Sequence, residues 1–244
     1  SRRRHTRLRT VTGVQTCALP IFRAQAEHLS RFKPYYVGAR QVKGLTLPTA
    51  QTFVINGGNQ WGSLQEGVFK LTGFSPKLKQ HLRSLQPSLI HAHFGPCGAL
   101  ALPIVQSLKL PLVLTFYGLD ATMTDDYARK DSLSTRVYLD RRETLKKKVD
   151  RFIAVSDFIK NRLVTQGFPE EKITSHYYGV DTEYFKPDPH WSRQPIVLFV
   201  GRFTEKKGCE YLIQAMAEVQ AQGSTVELVL VGDGEGRSAL ETLA

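Results

Sequence analysis

Short apolar runs alternate along the chain with segments whose apolar residues recur at helical spacing. The runs predict strands at Pro34–Ala39, Ser88–His91, Pro111–Phe116, Phe152–Val155, Ile173–Tyr178, Ile196–Val200 and Val226–Val231. The periodic segments predict helices at Phe22–Phe32, Ser63–Leu71, Pro76–Leu85, Gly98–Leu108, Asp140–Val149 and Glu210–Gln220, and from about Arg237. Ser156 or Asp157 caps a further helix. Asn56-Gly57-Gly58 and Gly232-Asp233-Gly234 read as turns. Asp140–Val149 is so highly charged that its simplest reading is a solvated face.

The strands are apolar on both faces and alternate with helices, which predicts parallel sheets covered on both sides. The Pro-rich, polar segment 185–195 reads as a linker between two α/β units. The unit beyond it, 196–244, has only two strands, too few for a doubly wound sheet, and is expected to be incomplete. The first unit, 23–184, is expected by the same reading to lack an opening strand. Residues 1–22 sit where that strand would be. Their core, VTGVQTCALPIF, looks like translated sequencing-adapter sequence and shows no clear helical or strand period, so this segment is expected to be non-native.

Composition is that of an ordinary soluble globular chain, with 41% hydrophobic and 23% charged residues. The net charge of +11 is not ordinary, but Arg2, Arg3, Arg4, Arg7 and Arg9 carry five of those charges inside the doubtful N-terminal segment. A moderately basic body remains, suited to nucleotide diphosphates, anionic lipid surfaces or nucleic acid. No nucleic-acid recognition motif accompanies it, so nucleic acid is not the expected partner. Cys17, Cys97 and Cys209 are few, odd in number and scattered, which argues for a reducing compartment and against a disulfide framework or a zinc site. No apolar run approaches the length of a membrane span.

Three loops carry candidate chemistry. The strand Ile196–Val200 breaks at Gly201 into Arg202, Lys206, Lys207 and Gly208, just before a helix N-terminus. Two cations and the positive end of a helix dipole suit a diphosphate; a βα loop with solvated charges is the plainer alternative. His91-Ala92-His93-Phe94-Gly95 ends an earlier strand. The two histidines share a face, but a third metal ligand at useful spacing is missing, and His93 at the carboxyl end of a strand is placed to face a ligand crevice. In Thr115-Phe116-Tyr117-Gly118-Leu119-Asp120, Gly118 permits a tight turn and Asp120 either caps a helix or faces the same crevice.

Taken together these segments resemble the family 4 retaining glycosyltransferases of the GT-B fold, in the flavour of bacterial enzymes that build cell-surface polysaccharide or exopolysaccharide. The resemblance rests on HAHFGPCGALALP at 91–103, TFYGLD at 115–120, RFIAVSDFIKNRL at 151–163, YYGVDTEYFKP at 177–187, VLFVGRFTEKKG at 197–208 and LVLVGDGEGR at 228–237. It implies two Rossmann-like domains and a hexosyl transfer, with retention, from a nucleotide-diphosphate sugar to a glycan or lipid-linked acceptor. It implies that Gly201, Arg202 and Lys207 bind the donor diphosphate, with both cations stabilising the leaving group so that no metal or other cofactor is required. Tyr117 and Asp120 stand at the positions implied as catalytic, and His93, Phe94 and Gly95 line the acceptor side of the cleft.

The chain departs from the family pattern at three places. Tyr117 stands where the family commonly has His; with a pKa of about 10, tyrosine is a poor proton relay at neutral pH. The family's paired glutamates, seven residues apart, would lie beyond Ala244, and the first strand with its glycine loop is not evident. The 244-residue chain is therefore expected not to turn over. A cytoplasmic location at the inner face of the membrane is also implied, with Arg31, Phe32, Lys33, Tyr35, Tyr36, Lys70, Lys77 and Lys79 as candidate contacts. A sugar-nucleotide epimerase or phosphorylase on the same scaffold is the competing reading, since fold alone does not choose.

Overall fold

The computed structural model describes residues 8–10, 19–40, 47–190, 192 and 194–244. The chain folds as two units, one ending at Gly179 and the other starting at Val180.

The first unit is built on a seven-stranded sheet of β1 (Leu8–Thr10), β2 (Tyr36–Arg40), β3 (Thr52–Asn56), β4 (Ile90–His93), β5 (Leu112–Phe116), β6 (Arg151–Ala154) and β7 (Ile173–Ser175). Its order is β3-β2-β1-β4-β5-β6-β7, and every pair is parallel. This is a doubly wound order whose direction reverses between β1 and β4, the place where such sheets bind ligands.

The opening strand expected to be missing is therefore occupied: Leu8–Thr10 pairs with β2 on one side and β4 on the other. Periodicity did not reveal it because a three-residue strand is shorter than any window that detects a period. Residues 1–7 and 11–18, which hold most of the arginine cluster, Cys17 and most of the adapter-like core, lie outside the described residues. The helix expected from Phe22 begins earlier, as α1 (Leu19–Glu27). Pro20 is accommodated there because the first helical turn has no amide partner to lose.

The remaining helices of this unit are α2 (Gln60–Thr72), α3 (Pro76–Leu85), α4 (Gly95–Leu108), the short α5 (Leu119–Thr122) and α6 (Asp125–Asp131), α7 (Leu133–Lys148) and α8 (Asp157–Thr165). Their starts follow from capping. Asn59, Ser75, Thr124, Ser132 and Ser156 each accept a backbone N–H with the side chain, on α2, α3, α6, α7 and α8 respectively. α4 is apolar all round and buried along most of its length, so it sits between the sheet and α7. Gly98 allows this: a β-carbon there would meet Leu114 Cδ2 on β5 at 2.7 Å.

α7 corrects the solvated-face reading of 140–149. It runs sixteen residues, and Val137, Tyr138 and Leu145 on one side are buried. Arg141 is structural. Pro103 inside α4 has no N–H, so the Ala99 carbonyl loses its helical partner. Arg141 Nη1 donates to that carbonyl at 2.9 Å. Its Nη2 donates to the Leu71 and Thr72 carbonyls at 3.2 and 3.0 Å, closing the C-terminus of α2. Burial lowers the Arg141 pKa from its ordinary value. Arg141→Met is expected to destabilise the chain by about 1.5–3 kcal/mol, the range for a hydrogen bond to a charged group. Adding Pro103→Ala restores the internal amide and should recover part of the loss; strict additivity in urea unfolding would contradict this pairing.

α2 is anchored by its inner face. Glu66 on it is buried, takes hydrogen bonds from Asn56 Nδ2 at 2.6 Å and Arg40 Nε at 3.0 Å, and pairs with Lys70 Nζ at 2.6 Å. Burial pushes this carboxyl up, but the Lys70, Asn56 and Arg40 bonds together outweigh it and hold it below the usual carboxylate range. Tyr36, expected among membrane contacts, is instead buried with Ala26 of α1. Tyr36 and its neighbour Val37, on opposite faces of β2, are both buried.

The second unit is a two-stranded parallel sheet of β8 (Ile196–Val200) and β9 (Glu227–Val231) with α9 (Cys209–Ala221) and α10 (Arg237–Leu243). Phe203, Cys209, Ile213 and Met216 are buried. Ile196, Leu198 and Val200, which share one face of β8, are exposed.

Candidate functional site

In the first unit the predicted residues converge at the carboxyl ends of β4 and β5. These strands run parallel and in register, His93 opposite Thr115, so the loops that leave them start side by side. His91 and His93, both buried, lie with ring centroids 4.2 Å apart and planes tilted by 32°. His91 Nε2 lies 2.7 Å from Thr115 Oγ1, and His93 Nδ1 lies 2.8 Å from the Tyr117 hydroxyl. The Tyr117 ring stacks on Tyr178 at 6.3 Å and contacts Phe94 at 4.7 Å. Where the family pattern has a histidine, this chain thus has a tyrosine whose hydroxyl is bonded to the histidine of the neighbouring strand.

Phe94 bridges β4 and α4 with φ 74° and ψ 142°, a positive-φ backbone that costs a non-glycine residue about 1–3 kcal/mol. Its amide donates to the Thr115 carbonyl at 2.8 Å, which holds it there. Gly95 follows, and a β-carbon on it would meet the Tyr138 ring at 2.7 Å and Phe116 at 3.0 Å. The tight entry into α4 therefore depends on glycine.

Asp120 ties the two loops together. It is 4% exposed, and its Oδ2 accepts the Gly95 amide at 3.0 Å while Oδ1 accepts the Tyr117 and Gly118 amides at 3.1 and 2.9 Å. Burial pushes its carboxyl up, and the Gly118, Gly95 and Tyr117 amides offset only part of that. The two sequence readings of Asp120, cap or crevice residue, are resolved by a third arrangement. It caps the turn before α5 and the first turn of α4 at once, and its oxygens are spent on those amides. Among the described residues no group of three His, Cys, Asp or Glu stands close enough to hold a metal ion.

In the second unit Gly201, Arg202 and Lys207 lie on the turn from β8 to α9. The turn is clamped by β9. Gly201 N donates to Val231 O at 2.9 Å, Phe203 N to Asp233 O at 3.0 Å, and Gly236 N to Phe203 O at 3.0 Å. Gly232 and Gly234 are the residues that sequence reasoning undervalued. A β-carbon on Gly232 would collide with the Gly201 carbonyl, and one on Gly234 would lie 2.5 Å from Phe203 O. The turn signal at 232–234 was visible in the sequence; its packing against the Arg202 loop was not. A single turn of tight helix, 205–207, then ends at Gly208 (φ 65°), which starts α9. Arg202 and Lys207 are exposed, and neither forms a salt bridge among the described residues. Two exposed cations at the start of a thirteen-residue helix suit an anionic ligand.

Comparisons with known proteins agree in position. Residues 23–184 match the model described as Glycosyltransferase Family 4, and residues 180–244 match that described as Glycosyl transferases group 1. The amylovoran biosynthesis glycosyltransferase AmsK of Erwinia amylovora is 30% identical over 154 residues, 62% of this chain and 36% of that protein. The chain spans about a third of the length of the curated relatives it matches. The crystal structure of HepE from Anabaena in complex with UDP and glucose superposes with a TM-score of 0.66 at 15% identity, covering 98% of this chain and 64% of that one. UDP-N-acetylglucosamine 2-epimerase from Rickettsia bellii superposes with a TM-score of 0.54 at 13% identity, covering 98% and 65%. Such likenesses show the fold, α/β with parallel sheets of the GT-B type, and do not separate transfer from epimerisation. With two family models matched in succession along its length, the chain belongs to Glycosyltransferase Family 4.

Proposed function

We propose that the protein to which this chain belongs transfers a hexosyl group, with retention, from a nucleotide-diphosphate sugar to a glycan or lipid-linked acceptor in polysaccharide assembly. The observation that carries this reading is the succession of the two family models, the first over the β4–β5 loops and the second over the Arg202 turn. HepE, a neighbour in fold, binds UDP and glucose, which supports a nucleotide-sugar donor. Arg202 and Lys207, with Gly201, are assigned to the donor diphosphate, where fixed cations stabilise charge on the departing nucleotide. His93, Phe94 and Gly95 are assigned to the acceptor side. Tyr117 is assigned a hydrogen-bonding part at the reacting sugar, with His93 fixing its hydroxyl, and Asp120 a positioning part beneath both loops. No metal is assigned to the mechanism. The epimerase reading has fold likeness alone behind it.

The test is to incubate the complete protein with UDP-, GDP- and dTDP-hexoses, with and without an isolated polysaccharide-repeat acceptor. A glycosylated acceptor with the donor's anomeric configuration is expected. An epimerised sugar nucleotide formed without acceptor would overturn the reading.

A further inference from the structure

A cavity lies at the carboxyl ends of β2 and β3, on the far side of β1 from the β4–β5 loops. Its volume is about 420 Å³, and among the described residues it is lined by Arg40, Val54, Asn56, Gly57, Gly58 and Ser63. None of these belongs to the residues assigned above. The carboxyl end of a parallel sheet is the side on which such folds take ligands.

Arg40 and Asn56 end β2 and β3 and stand opposite each other in register. Glu66 of α2 fixes both. Its Oε2 accepts from Arg40 Nε at 3.0 Å and Asn56 Nδ2 at 2.6 Å, and Arg40 Nη2 lies 2.9 Å from the same oxygen. Its Oε1 pairs with Lys70 Nζ. One edge of the guanidinium is thus held, Nη1 is directed away from Glu66, and the Arg40 side chain stays 61% exposed. A buried carboxylate orients an open arginine while both its own oxygens are engaged.

The lining selects an anion. Arg40 and Lys70 against Glu66 leave one positive charge, and between Glu27 and Asp120 the sequence has nine lysines and arginines and no other acid. A cation would find no unspent carboxylate. Ser63 Oγ accepts from Asn56 Nδ2 at 3.5 Å, which leaves its own proton for another acceptor. A β-carbon on Gly57 or Gly58 would meet nothing within 4 Å, so that wall is open. The volume is in the range of small-molecule sites, about 300–1,000 Å³, and exceeds what a bare phosphate or carboxylate fills.

We propose that this cavity binds a sugar through an anionic substituent, carboxylate or phosphate, with Arg40 on the anionic oxygens and Ser63 and the Gly57 turn on ring hydroxyls, and that this sugar belongs to the acceptor. The binding site stands on the cavity itself; its assignment to the acceptor rests on the proposed transfer.

The experiment is amide NMR of the chain titrated with methyl glucuronide, glucose 6-phosphate and neutral methyl glucoside. At least one anionic sugar is expected to shift the Gly57, Gly58 and Ser63 amides, and the one that does so identifies the anion. Arg40→Gln, which still offers Glu66 a donor, should weaken binding by about tenfold or more, as for one lost charge-assisted contact. Gly57→Glu is the second variant. It meets no neighbour and sets a negative charge in the lining, so it should weaken binding similarly. In the complete protein, Arg40→Gln should raise KM for an acidic acceptor by the same factor and leave kcat and the donor KM unchanged. The proposal is overturned if neither anionic sugar moves these amides, if the glucoside moves them equally, or if both variants bind as the parent does. Transfer to neutral acceptors alone would remove the acceptor assignment and leave the transfer reading standing. Anionic binding without any transfer would do the reverse, keeping the site and sinking the transfer reading.

Discussion

Asp120→Ala is expected to destabilise the first unit by about 3–5 kcal/mol, because three amides lose their acceptor in a buried place and each unsatisfied donor costs about 1–3 kcal/mol. The carboxylate spans the Gly95 amide of one βα loop and the Tyr117 and Gly118 amides of the next. At 4% exposure, solvent does not replace it without rearrangement. Asp120→Asn keeps one acceptor oxygen but turns an NH2 group towards amide donors, so it should recover only part of the loss. Urea unfolding followed by far-UV circular dichroism measures the total, and hydrogen exchange at Gly95, Tyr117 and Gly118 locates it. A residue that served only at the surface of a cleft would leave both readouts unmoved, and an Asp120→Ala chain of parental stability would refute the positioning part assigned here.

The second large effect concerns the donor turn and is read in the complete protein. Arg202→Ala should lower affinity for the cognate nucleoside diphosphate by about tenfold to a hundredfold, the equivalent of the roughly 1.5–3 kcal/mol carried by one charge-assisted contact. Stability should stay within about 0.5 kcal/mol, since Arg202 is exposed and without an ion pair among the described residues. Gly232→Ala separates the cation from its platform. Its β-carbon drives into the Gly201 carbonyl, so the loop that carries Arg202 must move although the guanidinium remains. Affinity and stability are then expected to fall together. Calorimetric titration with UDP, GDP and dTDP resolves the two cases. Unchanged affinity in Arg202→Ala would remove this residue from the diphosphate site.

Much of the architecture could be read before any coordinates. Helix α3 and strand β8 have the bounds that their patterns predict, because each is bracketed by strong local signals: a Ser-Pro start, or an apolar run ending in glycine. The short α5 and α6 escaped, and three further misses have physical reasons. β1 is too short to show a period. β3 is a half-buried five-residue strand at the sheet edge, and its apolar run, Phe53–Ile55, is only three residues long. The length of α7 was hidden by its charge, since composition does not reveal that Tyr138, Arg141 and Leu145 serve the inner side of the helix.

The site divides along the same line. Gly201, Arg202 and Lys207 lie within seven residues on one strand–turn–helix, so the sequence alone was enough to propose them together and to propose an anionic ligand for them. The two-unit α/β organisation was equally local in origin, following from alternating periods and a Pro-rich junction. What tertiary structure decided was every pairing between distant residues. The His93–Tyr117 and Gly95–Asp120 bonds join positions 24 and 25 residues apart, and Arg141 reaches carbonyls 42 and about 70 residues away. Those contacts exist because β4 and β5 lie parallel and in register and because α4 and α7 pack together. Hydrophobic patterning specifies which face of an element is buried; which partner it meets there is set only when the whole sheet assembles.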